Sequence, residues 1–255
     1  MATQTLDQVQ GRAQTLLSAL ESVWQQRWLA VLVAAGVAAL AGIVTARVLP
    51  HGPATAPQVL LVMATSLGVG IAGGLAMRSW WALLLAPSAY ILAVEAARLG
   101  TAGPTAGAIR LDNLFGILAF VTGRGFHGLA ALPPMALGTG LGIMLAARLM
   151  AGPAAASAGG LLRWLPGLLL AGVVVAFGVA VMLPASTPPI TGADGKPLPG
   201  SIATLEKVRL GDSDQWIMIR GYDAENPVIL YLSGGPGQSD LAYSRIFFDL
   251  SLIHI

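Results

Sequence analysis

The sequence predicts a helical membrane bundle followed by the opening of an α/β domain, and three observations carry that prediction. Hydrophobic residues make up 55% of the 255 and charged residues only 10%, whereas soluble domains run near half and about a quarter. Five long apolar stretches recur between positions 28 and 183. A proline-rich run follows them, and beyond it the apolar pattern shortens to lengths that suit strands.

A helix rising 1.5 Å per residue needs about 20 mostly apolar residues to cross about 30 Å of hydrocarbon. Trp28 to Leu49, Gln58 to Met77, Trp80 to Leu99, Leu129 to Met150 and Leu165 to Leu183 meet that requirement, with breaks such as Pro50-His51-Gly52-Pro53 and Gly152-Pro153 between several of them. Trp28, Trp80, Trp81 and Trp164 stand at segment ends, where an indole favours the headgroup layer. The lipid bilayer is thus the first expected partner.

Residues 1–27 read as an amphipathic helix lying on the membrane surface. Thr5-Leu6-Asp7-Gln8 fits a capping box, and Leu6, Val9, Ala13, Leu16, Leu20, Val23 and Trp24 recur at three- and four-residue spacing. A solvated helix with a weak apolar stripe is the alternative, because the basic content is low. The segment lacks a short basic lead into an apolar core, so it is not read as a secretory signal. Leu114 to Thr122 is also apolar, but as a helix it covers only about 13 Å. Hemmed in by Arg110, Asp112 and Arg124, it is expected to be interfacial or re-entrant.

Small residues are dense in the apolar stretches, as in Gly68, Gly70, Gly73 and Gly74 or Gly138, Gly140 and Gly142, and they let helix backbones approach closely. The helices should therefore bundle. Ionisable groups, which usually mark transport paths through a membrane, are nearly absent from the apolar cores. Glu95 is the exception, near a helix end beside Arg98, where snorkelling or a local ion pair accounts for it.

The net charge of +2 rests on 14 Lys+Arg and 12 Asp+Glu, and the basic residues are scattered singly rather than in a stripe that could follow phosphates, which argues against nucleic acid. There is no Cys, so disulfides, thiolate metal sites and a Cys nucleophile are excluded. No metal ligand set and no cofactor is predicted. Arg12, Arg27, Arg78, Arg148 and Arg163 fall on one side of the alternating spans and Arg47, Arg98, Arg110 and Arg124 on the other. The positive-inside rule then favours a cytoplasmic N-terminus. Five spans across a bacterial plasma membrane would place everything after Leu183 on the extracytoplasmic side.

Pro184, Pro188, Pro189, Pro197 and Pro199 mark residues 184–200 as a semi-rigid polar linker. Ile202 to Leu210 and Gln215 to Arg220 read as two strands around the turn Gly211-Asp212-Ser213-Asp214. Pro227 to Leu232, P-V-I-L-Y-L, is a continuously apolar run of the kind that forms a strand buried on both faces. It leads into Ser233-Gly234-Gly235-Pro236-Gly237 and a helix start near Leu241. Glycines at the end of such a strand can turn backbone N–H groups towards a ligand, including the oxyanion of an acyl-transfer reaction. Neither phosphate-binding glycine pattern, G-x-G-x-x-G or G-x-x-x-x-G-K-[ST], is present.

The run from Gly200 to Arg245, with its Y-L-S-G-G-P-G core, resembles the opening of proline-iminopeptidase-like α/β-hydrolases. Those enzymes usually carry H-G-G-P-G after their third strand and draw an oxyanion-hole N–H from that loop. The resemblance implies this role for the loop Ser233, Gly234, Gly235, Pro236 and Gly237, with the donor mapping onto Gly234 and Gly235, and it implies a small peptide, amide or ester substrate. Ser233 stands where His is usual. A backbone donor survives that change, while the loop's orientation and substrate preference are left open.

No catalytic residue of such an enzyme is present. The fold needs G-x-S-x-G, then an acid, then a His, and no G-x-S-x-G occurs. His51 and His127 precede the domain, and His254 is at the extreme end. Ser239 and Asp240 read as helix caps. The closing residues Leu250 to Ile255, L-S-L-I-H-I, match the translation of a transposase adapter end used in sequencing libraries. The expectation is therefore a truncated hydrolase domain over residues 201–249 and an adapter-derived tail over 250–255. The rival expectation is a small transporter-like or scaffold membrane protein whose helices carry the function.

Overall fold

The structure is a computed structural model that describes residues 14–15, 18–49, 54–99, 111–151, 164–232, 241 and 244, the side chains of 115, 118, 119, 122 and 151 excepted. The chain forms two compact units, Met1–Met182 and Leu183–Ile255.

Among the described residues the first unit holds five long helices: α1 (Arg27–Val48), α2 (Ala56–Met77), α3 (Ala82–Arg98), α4 (Leu114–Ala151) and α5 (Leu165–Met182). Four of them, α1, α2, α4 over Gly123–Met150, and α5, are long and apolar enough to cross a membrane. At 17 residues, α3 is about 26 Å long, slightly under the length that the other four reach. Their apolar composition associates the protein with a membrane.

Local chemistry sets the helix ends. Thr55 N–H donates to Gln58 Oε1 at 2.8 Å, closing a capping box with proline in the first turn of α2. At the other end Arg78 takes a left-handed conformation, φ 51°, and its N–H donates to the Gly74 carbonyl at 2.9 Å. A non-glycine residue there costs about 1–2 kcal/mol, and the Arg78 side chain shows what holds it. Its guanidinium lies 5.0 Å from the Trp24 ring centroid and donates to the Trp24 carbonyl at 3.1 Å and to Met150 Sδ at 2.9 Å. Trp24 Nε1 in turn donates to the Leu75 carbonyl at 2.9 Å. Residues 18–25 are helical, so the described part of the expected amphipathic helix is anchored on the bundle through Trp24; its capping box at Thr5 lies outside the described residues.

Leu114 to Thr122 is helical and not re-entrant: it forms the first turns of α4, which runs unbroken for 38 residues, about 57 Å, and it precedes the part long and apolar enough to cross a membrane, Gly123–Met150. No proline separates it from the next span, and the intervening Gly123-Arg124-Gly125-Phe126-His127-Gly128 stays helical despite its glycines. Pro133 and Pro134 sit inside α4 and remove the donors for the carbonyls of Leu129 and Ala130.

Small residues make the bundle. On α1 the buried positions Ala30, Ala34, Ala38, Gly42 and Ala46 recur every four residues and meet Ala82, Ala86, Tyr90 and Val94 of α3, which do the same. The most extensive contact is between α2 and α4. There Gly70 and Gly74 face the Met135 and Thr139 carbonyls, and Gly138 and Gly142 face those of Leu67 and Ile71. Two G-x-x-x-G pairs thus interlock backbone to backbone. Helix α5 buries no residue, and its Leu169 and Val175 are each 63% exposed.

In the second unit β1 (Ile202–Leu210) pairs antiparallel with β2 (Ser213–Gly221), Leu210 opposite Ser213. The strands match the expected ones to within two residues. Gly211 and Asp212 form the two-residue turn, with Gly211 at φ 59°, as a type II′ hairpin requires of its first central residue. The proline-rich segment before the hairpin is pinned to it: Arg220 Nη1 donates to Thr187 Oγ1 at 2.7 Å and to the Pro188 carbonyl at 2.6 Å. Ile190 is buried, and Leu198 N–H donates to its carbonyl at 2.9 Å.

Candidate functional site

The loop Ser233, Gly234, Gly235, Pro236 and Gly237 lies outside the described residues, as do Ser239, Asp240, His51 and His254. The segment leading to the loop is described, and it corrects the expectation of a buried strand. Residues 227–232 form no strand; Val228 is 90% and Leu230 76% exposed. A parallel strand is made by its neighbours as much as by its own composition, and among the described residues the sheet contains only β1 and β2, which pair with each other.

A second group of chemically active side chains lies inside the helix bundle. On α3, Tyr90 and Glu95 occur five positions apart; on α4, Arg124 and His127 occur three apart. The two helices run antiparallel, so the pairs meet in reverse order. Glu95 accepts two hydrogen bonds from Arg124, Nε to Oε1 at 3.0 Å and Nη2 to Oε2 at 2.9 Å, the bidentate geometry that makes such pairs strong. The Phe120 ring lies 5.6 Å from the same guanidinium. Towards the middle of α3, Tyr90 is buried and its ring stacks on His127 with centroids 5.9 Å apart and planes 9° from parallel. The Tyr90 hydroxyl and His127 Nε2 are 3.2 Å apart, with donor and acceptor set by the imidazole tautomer. Thr45 of α1 and Ser66 of α2 are the other hydroxyls beside the phenol. Both are buried.

The sequence pointed to Glu95 and assigned it a local partner in Arg98, one turn away; the structure pairs it with Arg124 instead. Arg98 stays close enough to act electrostatically on both. Tyr90, Arg124 and His127 were missed. Their signal was the i, i+3 placement of Arg124 and His127 on one helix face, legible only once 114–151 is seen as one helix. Among the described residues no cluster of His, Cys, Asp and Glu could hold a metal ion.

This polar core can hold or exchange a proton, but it contains no activated nucleophile, and no acyl-transfer centre is assembled among the described residues. No protein-family profile matches the chain, and no solved structure matches it significantly. The chain is similar to a probable aminopeptidase, YbaC of Bacillus subtilis (strain 168), with 42% identity over 45 residues. That stretch is 18% of this chain and 14% of the relative, so the likeness spans about a seventh of the relative's length.

Proposed function

We propose that this chain is the membrane-embedded front of an aminopeptidase-like α/β-hydrolase, a serine hydrolase of the proline-iminopeptidase type acting on a peptide, amide or ester. On this reading α3 joins the other four helices in crossing a bacterial plasma membrane. The loop Ser233–Gly237 then offers a backbone N–H to the oxyanion of the tetrahedral intermediate. The observation that carries the proposal is the 42% identity over 45 residues with a probable aminopeptidase. Because no G-x-S-x-G occurs in the 255 residues, the nucleophile, the acid and the His would come from sequence outside them.

The test begins with the source locus, read onwards from the codon for Asp249. An open frame with G-x-S-x-G, then an acid, then a late His supports the proposal. That full-length protein should release p-nitroaniline from a prolyl p-nitroanilide, and Ser→Ala within the motif should abolish the reaction. The 255-residue chain by itself should show no turnover above a blank. Further apolar spans in place of the motif would refute the hydrolase reading. They would favour the second one, in which the bundle carries the function, and the Glu95–Arg124 and Tyr90–His127 contacts inside the bundle are what recommends it.

A further inference from the structure

We propose that the end of the bundle where α1 starts and α2 and α4 finish binds the headgroup of an anionic phospholipid, centred on Arg78, a role independent of the hydrolase reading. The contacts of Arg78 with Trp24 and Met150 bring those three helix ends together. Arg78 is half-buried there, and Arg27 and Arg148 are exposed. None of the three pairs with a carboxylate among the described residues. Glu21, on the short helix that carries Trp24, is exposed and is not their partner. At the opposite end of the bundle, by contrast, Arg124 has Glu95.

A glycine would cap α2 in the left-handed conformation without strain. What arginine adds is the guanidinium, and the structure fixes where that group lies. The Trp24 ring, the Trp24 carbonyl and the Met150 thioether hold it. These contacts engage two of its five N–H donors, one of them on a sulfur that accepts only weakly, and neither acceptor carries a negative charge. Arg27 follows Trp24 by three residues, which keeps its Cα within about 11 Å of that of Trp24. It occupies the first position of α1, whose cap residue Gln26 makes no side-chain hydrogen bond and whose first turn has no acidic residue. The positive end of that helix therefore adds to the field of the two guanidiniums. A phosphate monoanion fits this field, and it can take the bidentate hydrogen bonds that a guanidinium offers.

The surroundings select a lipid over a soluble phosphate. Trp28, Trp80 and Trp81 are 62%, 65% and 71% exposed, as indoles in a headgroup layer are. Leu141 and Leu145 lie on the same face of α4 as Arg148 and are also exposed, so they continue from the charge into the depth where acyl chains run. Charge then selects the headgroup. A phosphocholine brings its own ammonium, which the guanidiniums repel, whereas a phosphatidylglycerol brings the phosphate charge alone.

The experiment is native mass spectrometry of the full chain in a non-ionic detergent, titrated with a phosphatidylglycerol or with the phosphatidylcholine of the same chains. The quantity read is the Kd of the first lipid bound. Each guanidinium near a headgroup favours an anionic lipid about fivefold, so the wild type should prefer the phosphatidylglycerol by at least about that factor. Arg78→Gly, which keeps the left-handed cap of α2, should lose about fivefold in phosphatidylglycerol affinity and none in phosphatidylcholine affinity. Arg27→Gln should lose a similar factor, and Arg78→Lys, which keeps the charge, should retain most of the preference. Arg47→Gln, at the other end of α1 and exposed, should bind as the wild type does. Equal affinities for the two lipids, or Arg78→Gly binding as tightly as Arg47→Gln, would overturn the proposal. So would an equal loss in Arg78→Gly and Arg78→Lys, which would mark Arg78 as a structural clamp. Displacement of the phosphatidylglycerol by an equal concentration of glycerol phosphate would also overturn it, assigning the anion site to a soluble phosphate.

Discussion

Replacing Gly70 by Ala puts a methyl group where the α2 and α4 backbones touch. Its carbon would overlap the Met135 carbonyl oxygen and lie 2.8 Å from Thr139 N and 2.9 Å from the Met135 carbonyl carbon. All three atoms are backbone, so no rotamer change can relieve the contact and the helices must separate by about 1 Å to restore van der Waals distance. A gap of about 0.5–1 Å forfeits a quarter to a half of each facing dispersion well, along the most extensive helix contact of the bundle. Overpacking typically costs about 1–3 kcal/mol, and a backbone clash belongs in the upper part of that range, about 2–3 kcal/mol. Gly138→Ala strikes the Leu67 carbonyl at the same crossing and should cost as much. Since one separation relieves both clashes, the double variant should lose clearly less than the sum. Gly68 and Gly140 provide the controls: a methyl at either meets nothing within 4 Å, so alanine should be neutral or gain up to about 1 kcal/mol of helix propensity. The assay is SDS-driven unfolding of the chain in mixed micelles, followed by circular dichroism and tryptophan fluorescence. Gly70→Ala within about 0.5 kcal/mol of Gly68→Ala, or strict additivity of Gly70→Ala and Gly138→Ala, would refute the interlocked-backbone argument.

The same unfolding assay tests the ion pair. Glu95→Ala leaves the Arg124 guanidinium, 22% exposed, without its carboxylate and should cost about 2 kcal/mol, between the values for exposed and fully buried pairs, while Glu95→Ala combined with Arg124→Ala should cost less than Glu95→Ala alone. Topology can be read with single cysteines, since the chain has none: Cys at Ser186 should react with an impermeant maleimide on intact cells and Cys at Ser18 should not, and the reverse pattern would invert the orientation. Hydrogen exchange in the second unit should be fast at Val228 to Leu232, which form no strand, and slower at β1 positions paired with β2, such as Leu205 opposite Met218. Protection at Val228 to Leu232 equal to that in β1 would show that the apolar run finds a partner strand.

Where the helices lie could be read from the sequence almost residue by residue. A run of about 20 apolar side chains between Pro and Gly breaks has few ways to satisfy its backbone in lipid other than as a helix, and the described ends of α1, α2, α3 and α5 fall within two residues of the expected ones. The hairpin was legible for a similar reason, because Gly211 permits the positive φ that a two-residue turn needs. Those signals are local. Local composition also misled: the short run at Leu114 was open to a re-entrant reading, although it continues into the next span as one helix, and P-V-I-L-Y-L looked like a buried strand although a sheet position is conferred by neighbours.

Which of the small residues do the packing could be decided only in three dimensions. Gly70 and Gly74 carry the contact with α4 while Gly68 points to open space, a difference of helix face that composition cannot resolve without knowing the partner. The polar cluster is an extreme case of the same limit. Tyr90 and His127 are 37 positions apart and Glu95 and Arg124 are 29 apart, so nothing local pairs them. By itself the sequence determined that a charged residue sat near the end of an apolar helix, to be met by snorkelling or by an ion pair. The antiparallel register of α3 on α4 decided which partner, because reversing the chain direction sets Glu95 opposite Arg124 and leaves Tyr90, nearer the helix middle, to meet His127.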